Sequence, residues 1–197
     1  MESLQRIFVW LSRWNKCRGF GVQSPWAYQI IRYVINEHWP YYAYEEFEQH
    51  VPAFPDRIAK MGRLYFRLAN FRQPTAVLCF PACGDFELFF KRGCNKCIVE
   101  KVDEDMNSQR SNLPVSNVEL LRISPAAGYQ KVVMKAVENA DENTIIVVED
   151  IHKNKSVLDF WKHVIEDERV VITFDLYYCG IIFFQKRRYK ENYIVNF

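Results

Sequence analysis

The stretch "TAVLCFPACGDFELFF", from Thr75 to Phe90, joins an apolar run, a tight turn and the start of a helical pattern. An apolar run of this length is typical of a strand that is buried on both faces of a sheet. In nucleotide-binding α/β proteins, the turn after such a strand holds a ligand and usually contains several glycines. Here the turn contains one glycine, Gly84, and has Pro81 near its closest bend. The stretch predicts an α/β fold in which the ligand chemistry of this turn is reduced.

Strand and helix patterns alternate from Thr75 to the end of the chain. The strands predicted after the first are "KCIVEKV", "NVELLRI", "NTIIVVEDI", "RVVITFDL" and "CGIIFFQK". The alternation predicts a mostly parallel sheet with helices on both faces. Only "YYCG" joins the last two strands. That connection is too short for a parallel crossover, so we expect an antiparallel hairpin at the end of the sheet.

Residues 1–73 are predicted to be a helical extension, and residues 74–197 the α/β domain. Ser24 and Pro25 are a typical cap and first residue of a helix. A later helix is predicted from an apolar stripe at helical spacing. This stripe is formed by Ile58, Met61, Leu64, Tyr65 and Leu68. We expect these helices to pack on one side of the sheet without a core of their own.

The first predicted helix is amphipathic. Its apolar face is formed by Ile7, Trp10, Leu11 and Trp14. We expect this face to dock on the domain. Basic residues interrupt the segment, at Arg6, Arg13 and Lys16. Binding to a membrane surface is therefore the alternative interpretation.

Composition limits the classes of function. The length of 197 residues suits one domain, or one domain with a small appendage, and 49% of the residues are hydrophobic. Only 7 residues are glycine, which disfavours a fold with several glycine-rich loops. The net charge of +2 is too small to indicate a nucleic-acid partner. No run of about 18 apolar residues occurs, so we expect no membrane span. No cleavable signal pattern is present either, and we expect a cytoplasmic protein. The P-loop motif Gly-x4-Gly-Lys-Ser/Thr is absent, which excludes the usual P-loop enzyme.

The chain has six cysteines, which we expect to be reduced in the cytoplasm. Cys79, Cys83, Cys94 and Cys97 form a series that contains one CxxC pair. A structural zinc ion would need four thiolates that converge tetrahedrally. Strand residues point alternately to opposite faces, which opposes such convergence. We therefore expect buried free thiols and no metal site, with zinc or a redox pair as the alternatives.

Three segments resemble a family of predicted class I S-adenosylmethionine-dependent methyltransferases from Bacteroidetes bacteria. They are "RGFGVQSPWAYQII", "IIVVEDIHKNKSVLDFWKHV" and "VITFDLYYCGIIFFQKRRYKENYIVNF". They are similar to the family's Arg-Gly-x-Gly-Val-x-Ser-Pro element, its strand ending in Asp-Asp-Ile-His and its closing hairpin. The resemblance implies a Rossmann-like methyltransferase fold with S-adenosylmethionine as cofactor.

The first turn departs from that family. Its members resemble Val/Ile-Leu-Glu-Ile-Gly-Thr-Ser-x-Gly, whereas this chain has Cys79 in place of the acid and Pro81 in place of the first glycine. Proline adds a ring, removes an N–H group and fixes φ, which hinders close approach to a cofactor. Gly84 and Asp85 remain as candidate cofactor-binding residues in a displaced turn.

Glu100 ends the second predicted strand, where the family resemblance implies an acid that binds the ribose hydroxyls. A carboxylate accepts both hydroxyl protons, so the chemistry fits. The alternative is a solvated acid at the end of a strand.

The resemblance also implies a fourth strand ending like Asp-x-x-Phe-Ile-Asp-Gly beside the first strand. Between Ile123 and Asn143 the sequence offers only one helix. We therefore expect that this central strand is deleted. The sheet would then have six strands, with "TAVLCF" directly beside "NTIIVVEDI".

The best polar cluster at a strand end is Glu149-Asp150-Ile151-His152. Ligands of open α/β sheets bind at the carboxyl ends of strands, and in the family these acids suggest contact with metal or substrate. Asp150 and His152 are the candidate catalytic residues. The alternative is a polar cap on the strand.

Two functions follow. The favoured one is a methyltransferase-like protein with an eroded site, non-catalytic or weakly binding, that contacts a protein partner or a small molecule, for example through the aromatics of "HWPYYAYEEF". The other is an active methyltransferase for an unknown small-molecule acceptor. For the first we expect a dissociation constant for S-adenosylmethionine above about 1 mM.

Overall fold

The computed structural model describes residues 2–16, 21–50, 56–102, 118–185 and 188–197. The N-terminal part contains α1 (Glu2–Ser12), α2 (Pro25–Ile30) with a π-helical continuation (Ile31–Ile35), α3 (Tyr42–His50) and α4 (Asp56–Arg72). The remainder contains β1 (Ala76–Phe80), α5 (Phe86–Gly93), β2 (Ile98–Lys101), β3 (Leu120–Ile123), α6 (Tyr129–Glu138), β4 (Ile145–Glu149), α7 (Lys155–Glu166), β5 (Ile172–Asp175), β6 (Cys179–Phe183) and β7 (Glu191–Ile194).

Short polar residues start two of these helices. The side chain of Ser24 accepts a hydrogen bond from the backbone N–H of Ala27 at 3.3 Å, and Pro25 occupies the first turn of α2. Asn154 caps α7 in the same way, accepting from Val157 at 2.9 Å. Each cap satisfies a backbone donor that has no partner inside its helix.

Within the described residues, the sheet has seven strands in the order β2-β1-β3-β4-β6-β5-β7. β6 is antiparallel to both of its neighbours, β4 and β5, and the other adjacent pairs are parallel. The α/β class, the mostly parallel sheet and the antiparallel hairpin of β5 and β6 are confirmed.

The predicted deletion of a central strand is wrong. β1 pairs with β3, not with β4, and Cys79 lies opposite Arg122 in that pairing. β3 is the strand of "NVELLRI", and all four of its residues are buried, as a central position requires. The segment between Ile123 and Asn143 contains α6 and no strand, as expected. The error arose because the order of strands along the chain does not fix their order in the sheet.

The predicted count of six strands is also wrong. The seventh strand is β7, which pairs in parallel with β5 at the opposite edge of the sheet from β2. Its alternating half-buried and exposed residues have the weak pattern of an edge strand, which made it hard to recognise in the sequence.

Helices cover both faces of the sheet. One face, which includes Cys79 and Val147, packs on α2, its π-helical continuation, α4 and α5 in a single hydrophobic core. The other face, which includes Leu78 and Ile146, packs on α6 and α7. Helices of residues 25–35 and 56–72 therefore share a core with the sheet.

The docking predicted for α1 is wrong. The side chains expected to face the domain are exposed: Ile7 by 56%, Trp10 by 48%, Leu11 by 54% and Trp14 by 68%. Val9 and Arg13 are buried instead. The physical reason is that Arg13 forms an ion pair with Asp175 of β5, which turns the opposite side of the helix toward the protein. No helix in the described ranges is long and apolar enough to cross a membrane.

The expectation of reduced cysteines is wrong for one pair, because Cys79 and Cys83 form a disulfide across the turn after β1. Cys94, Cys97 and Cys179 are free and buried. Cys17 lies outside the described residues. Across the described part of the chain, no group of three or more His, Cys, Asp or Glu side chains is arranged to hold a metal ion.

Candidate functional site

The carboxyl ends of β1, β3 and β4 lie side by side. In open α/β folds, the crevice outside these strand ends is where ligands bind. Arg122 of β3 extends across this crevice. Its Nε and Nη2 atoms donate to the two carboxylate oxygens of Glu149, at 3.0 and 2.7 Å. Its Nη1 atom donates to the carbonyl oxygen of Ala82, in the turn after β1, at 3.1 Å. One guanidinium group therefore links the ends of three neighbouring strands.

Two further side chains enclose this guanidinium group. The hydroxyl of Tyr65, on α4, donates a hydrogen bond to Glu149. The ring of Phe86, at the start of α5, lies 4.8 Å from the Arg122 guanidinium carbon. Tyr65, Arg122 and Glu149 are exposed by 0, 6 and 8%. We call these three residues the crevice network.

Two members of the crevice network, Tyr65 and Arg122, have shifted pKa values. Burial raises the pKa of Tyr65 well above its usual value, and the charge of Glu149 raises it further. Burial alone would lower the pKa of Arg122, but Tyr65 and Glu149 outweigh that effect and raise it. Tyr65 is therefore a neutral donor and Arg122 a permanent cation at neutral pH. A buried charge pair of this kind is held in place because separating it would leave an uncompensated charge.

The turn after β1 is shaped by its own backbone. Gly84 has φ of +56°, in the left-handed region that favours glycine, and no atom lies within 4 Å of the place where a Cβ would stand. The glycine is therefore required by backbone conformation and not by a close neighbour. Asp85 is exposed and precedes α5 without a capping hydrogen bond from its side chain.

Glu100 lies apart from the crevice network. It pairs with Leu78 in the register of β1 and β2, whereas Arg122 pairs with Cys79. Since adjacent strand residues point to opposite faces, Glu100 and Arg122 are on different faces of the sheet. The Oε2 atom of Glu100 is buried and has no hydrogen-bond partner among the described residues. The predicted cofactor residues are thus split between a turn and the far face of β2.

The two predicted catalytic residues also diverge. Asp150 has φ of +55° and forms an ion pair with Arg57 of α4. His152 turns the other way, and its Nε2 atom lies 2.8 Å from Oδ2 of Asp175, at the end of β5. The structure therefore does not bring Asp150 and His152 together into one acid–base pair.

A second polar cluster forms around Asp175. Arg13 of the N-terminal segment donates to Oδ1 of Asp175 at 2.9 Å, and its Nη2 atom lies 3.1 Å from Nε2 of His152. The His152 ring stacks on Tyr177 with their centroids 4.9 Å apart. We call Arg13, His152, Asp175 and Tyr177 the Asp175 cluster. Burial would raise the pKa of Asp175, but hydrogen bonding to His152 and the charge of Arg13 hold that pKa below its usual value.

Sequence reasoning missed the residues that dominate both clusters. Arg122 is the one charged residue in the apolar pattern of β3, and Asp175 is the acid that ends β5. A charge inside a strand with four buried residues must be paired, and that is a signal for a buried partner. The identity of the partner, Glu149, cannot be read from the sequence without the order of strands in the sheet.

A cavity of about 760 Å³ lies between residues 35–45 and α4. The aromatic segment singled out in the sequence forms one wall, and basic side chains of α4 form another. Its walls include Trp39, Tyr41, Tyr44, Lys60, Arg63 and Phe197. Arg67 supports the wall by donating to the carbonyls of Val34 and Ile35, at 2.6 and 2.9 Å.

Neither models of known protein families nor curated proteins match this sequence. The methyltransferase resemblance therefore stays a prediction based on the three segments that carry it.

Proposed function

We propose that this chain is a methyltransferase-like α/β protein whose cofactor crevice is closed, and that it acts by binding and not by methyl transfer. The observation that carries the proposal is the crevice network. Arg122 bridges Ala82 in the first turn and Glu149 at the end of β4, across the place where a nucleotide-type ligand would lie.

The residues at this edge do not fit S-adenosylmethionine. Its sulfonium group is a cation, and the Glu149 carboxylate at this edge is already paired with Arg122, so it offers no free counter-charge. The unpaired oxygen of Glu100 suits a ribose hydroxyl, but it is on the other face of the sheet from Arg122 and Glu149.

The energetics support weak binding. A ligand that entered the crevice would have to separate Arg122 from Glu149, and breaking a buried pair costs about 3–5 kcal/mol. One hydrogen bond to the Glu100 carboxylate returns about 1.5–3 kcal/mol. The balance is unfavourable, in line with a dissociation constant above about 1 mM, which corresponds to less than about 4 kcal/mol.

The second candidate is an active methyltransferase for a small-molecule acceptor. The buried, unpaired Oε2 atom of Glu100 favours it, because a buried carboxylate oxygen without a partner suits a missing ligand hydroxyl. In this candidate Gly84 and Asp85 would hold the methionine end, and Asp150 and His152 would lie near the acceptor.

Under the favoured proposal, the binding site is the 760 Å³ cavity with its aromatic wall. Concave, largely apolar cavities with a few polar groups are the usual ligand sites of proteins. Tyr44 combines apolar and polar contacts in this cavity. Its ring lies 5.2 Å from the guanidinium carbon of Arg63, and its hydroxyl accepts a hydrogen bond from Arg67 at 3.0 Å. The ligand class is a small molecule or a partner segment, and a cytoplasmic location belongs to the same proposal.

Calorimetry with S-adenosylmethionine and S-adenosylhomocysteine separates the two candidates. We expect no saturable heat up to about 1 mM of either compound. The matched variants are Glu100→Ala and Lys101→Ala, which alter adjacent residues of β2 on opposite faces. Micromolar binding that is lost in Glu100→Ala and kept in Lys101→Ala would reject the favoured proposal and support the enzyme.

A further inference from the structure

The outward face of α1 is apolar. Ile7, Phe8, Trp10, Leu11 and Trp14 are exposed by 56, 73, 48, 54 and 68%. We call these five residues the α1 apolar face. At 100° per residue they cover an arc of roughly 160°, and Val9 and Arg13 lie on the opposite side. The helix therefore presents its apolar side to solvent and its polar anchor to the protein.

The anchor fixes this orientation. Arg13 donates to the backbone carbonyl and to the carboxylate of Asp175, at 3.1 and 2.9 Å, and its guanidinium carbon lies 5.2 Å from the Tyr177 ring. Turning the apolar side inward would break these contacts and leave the buried Asp175 carboxylate without its arginine.

The exposed area is large for a protein surface. An aromatic side chain contributes about 150–250 Å², so the α1 apolar face presents roughly 600 Å² to solvent. The largest apolar patch of an ordinary monomer is about 300–600 Å² and is often functional. A surface of this size indicates an interaction site.

The surrounding charge selects the partner. Residues 3–36 contain no acidic residue and five basic ones; Arg13 is neutralised by Asp175, which leaves Arg6, Lys16, Arg18 and Arg32. Such a segment attracts an anionic surface and repels another basic one. Two copies packed through α1 would bring their basic segments together, and roughly 600 Å² is below the about 800 Å² per partner that a standard dimer buries.

We propose that α1 binds the surface of an anionic lipid bilayer. The helix lies in the plane of the interface, with its tryptophan and phenylalanine rings among the headgroups and acyl chains and with Lys16, which is exposed just after the helix, near the lipid phosphates. Tryptophan, phenylalanine and leucine on one side with basic residues on the other are the features of such interfacial helices. Because Arg13 fastens α1 to β5, the whole protein is held at the bilayer.

Vesicle flotation tests the proposal with the full chain. Vesicles of phosphatidylcholine with about 30% phosphatidylserine are compared with phosphatidylcholine alone. We expect the protein to float with the anionic vesicles, and less as salt is raised. The double variant Phe8→Glu/Trp14→Glu should reduce the bound fraction at least about tenfold. The control is Tyr189→Glu, a still more exposed aromatic that precedes β7 and lies near the Ile172 end of β5, away from the Asp175 end that holds Arg13; it should bind normally.

A second measurement does not depend on charged substitutions. Brominated acyl chains should quench the tryptophan fluorescence of the wild-type protein, and Trp10→Phe/Trp14→Phe should remove most of that quenching while it keeps vesicle binding. No flotation with anionic vesicles, or equal flotation of the Phe8→Glu/Trp14→Glu variant, would overturn the proposal. Self-association that this variant abolishes, without lipid binding, would also overturn it and assign the face to a second copy of the chain.

Discussion

At the scale of single residues, Arg122 is the most informative side chain. A lone arginine in an apolar strand costs free energy unless a partner satisfies it, and here Glu149 does so with two hydrogen bonds. The pair joins β3 to β4 and also occupies the crevice. Under the proposed function, the same interaction also closes the site.

We predict that Arg122→Met destabilises the protein by about 3–5 kcal/mol, because Glu149 is left as a buried, uncompensated charge. Urea unfolding at pH 7 measures the change. The double variant Arg122→Met/Glu149→Leu should recover most of the loss, since neither charge remains. Lys91→Ala breaks an exposed pair with Glu87 and should change stability by less than about 1 kcal/mol. A small effect of Arg122→Met would show that the pair is not buried as described.

We predict an acid-dependent contribution from Asp175. The pKa of this carboxyl is lower in the folded protein than its ordinary value, so its stabilising effect is complete at neutral pH and is lost as pH falls through the folded pKa. Asp175→Asn should cost about 1–3 kcal/mol at pH 7, as for hydrogen bonds to a charged group. Urea unfolding should show this difference as constant above about pH 5 and shrinking below about pH 4. A difference that grows on acidification would contradict the assignment.

At the scale of elements, α1 shows what an amphipathic pattern does not decide. The 3.6-residue period correctly placed Ile7, Trp10, Leu11 and Trp14 on one face, but the period does not say which face meets the protein. Arg13 decides it through Asp175, which is 162 positions further along the chain. A contact at that separation has no local signature in the sequence.

We predict that Arg13→Ala releases α1 from the protein. Val9 and Arg13 are the buried residues among positions 7–16, and loss of the arginine removes the ion pair that joins this segment to Asp175. Hydrogen–deuterium exchange should show faster exchange of the α1 amides, with β3 and β4 unchanged. Lys16→Ala, at an exposed position, should leave the exchange of α1 as in the wild type. Unchanged protection in Arg13→Ala would mean that other contacts hold the helix.

We predict that Gly180→Ala destabilises the protein by about 1–3 kcal/mol through overpacking, because a Cβ at this position of β6 would overlap the Trp161 ring of α7. Thermal or urea unfolding measures the loss. Adding Trp161→Phe should recover part of it by making room. Gly84→Ala provides a contrast, because a Cβ at Gly84 would meet open space. This variant should lose about 1–2 kcal/mol of stability through its left-handed backbone, and adding Trp161→Phe should not restore that loss.

At the scale of the whole molecule, local patterns predicted the class of fold but not the arrangement of the sheet. Buried runs such as "TAVLCF" and "NTIIVVEDI" identified strands, and the short connection before β6 predicted its antiparallel direction. The neighbour of β1 was assigned wrongly, because strand order depends on contacts between segments far apart in the chain. The candidate residues Glu100, Asp150 and His152 all lie near strand ends, but the structure does not bring them together. Asp150 pairs with Arg57, His152 lies against Asp175, and Oε2 of Glu100 has no hydrogen-bond partner among the described residues.

If Arg122 closes the crevice against a cofactor, the NMR signal of its Nε–Hε group will not respond to one. The signal is assigned by its loss in Arg122→Lys and followed as S-adenosylhomocysteine is added up to about 1 mM. We predict a signal that exchanges slowly with water, because the group donates to Glu149 in a buried site, and that does not move during the titration. A saturable shift at micromolar concentrations would contradict the account, because it would show that the crevice opens to admit the ligand.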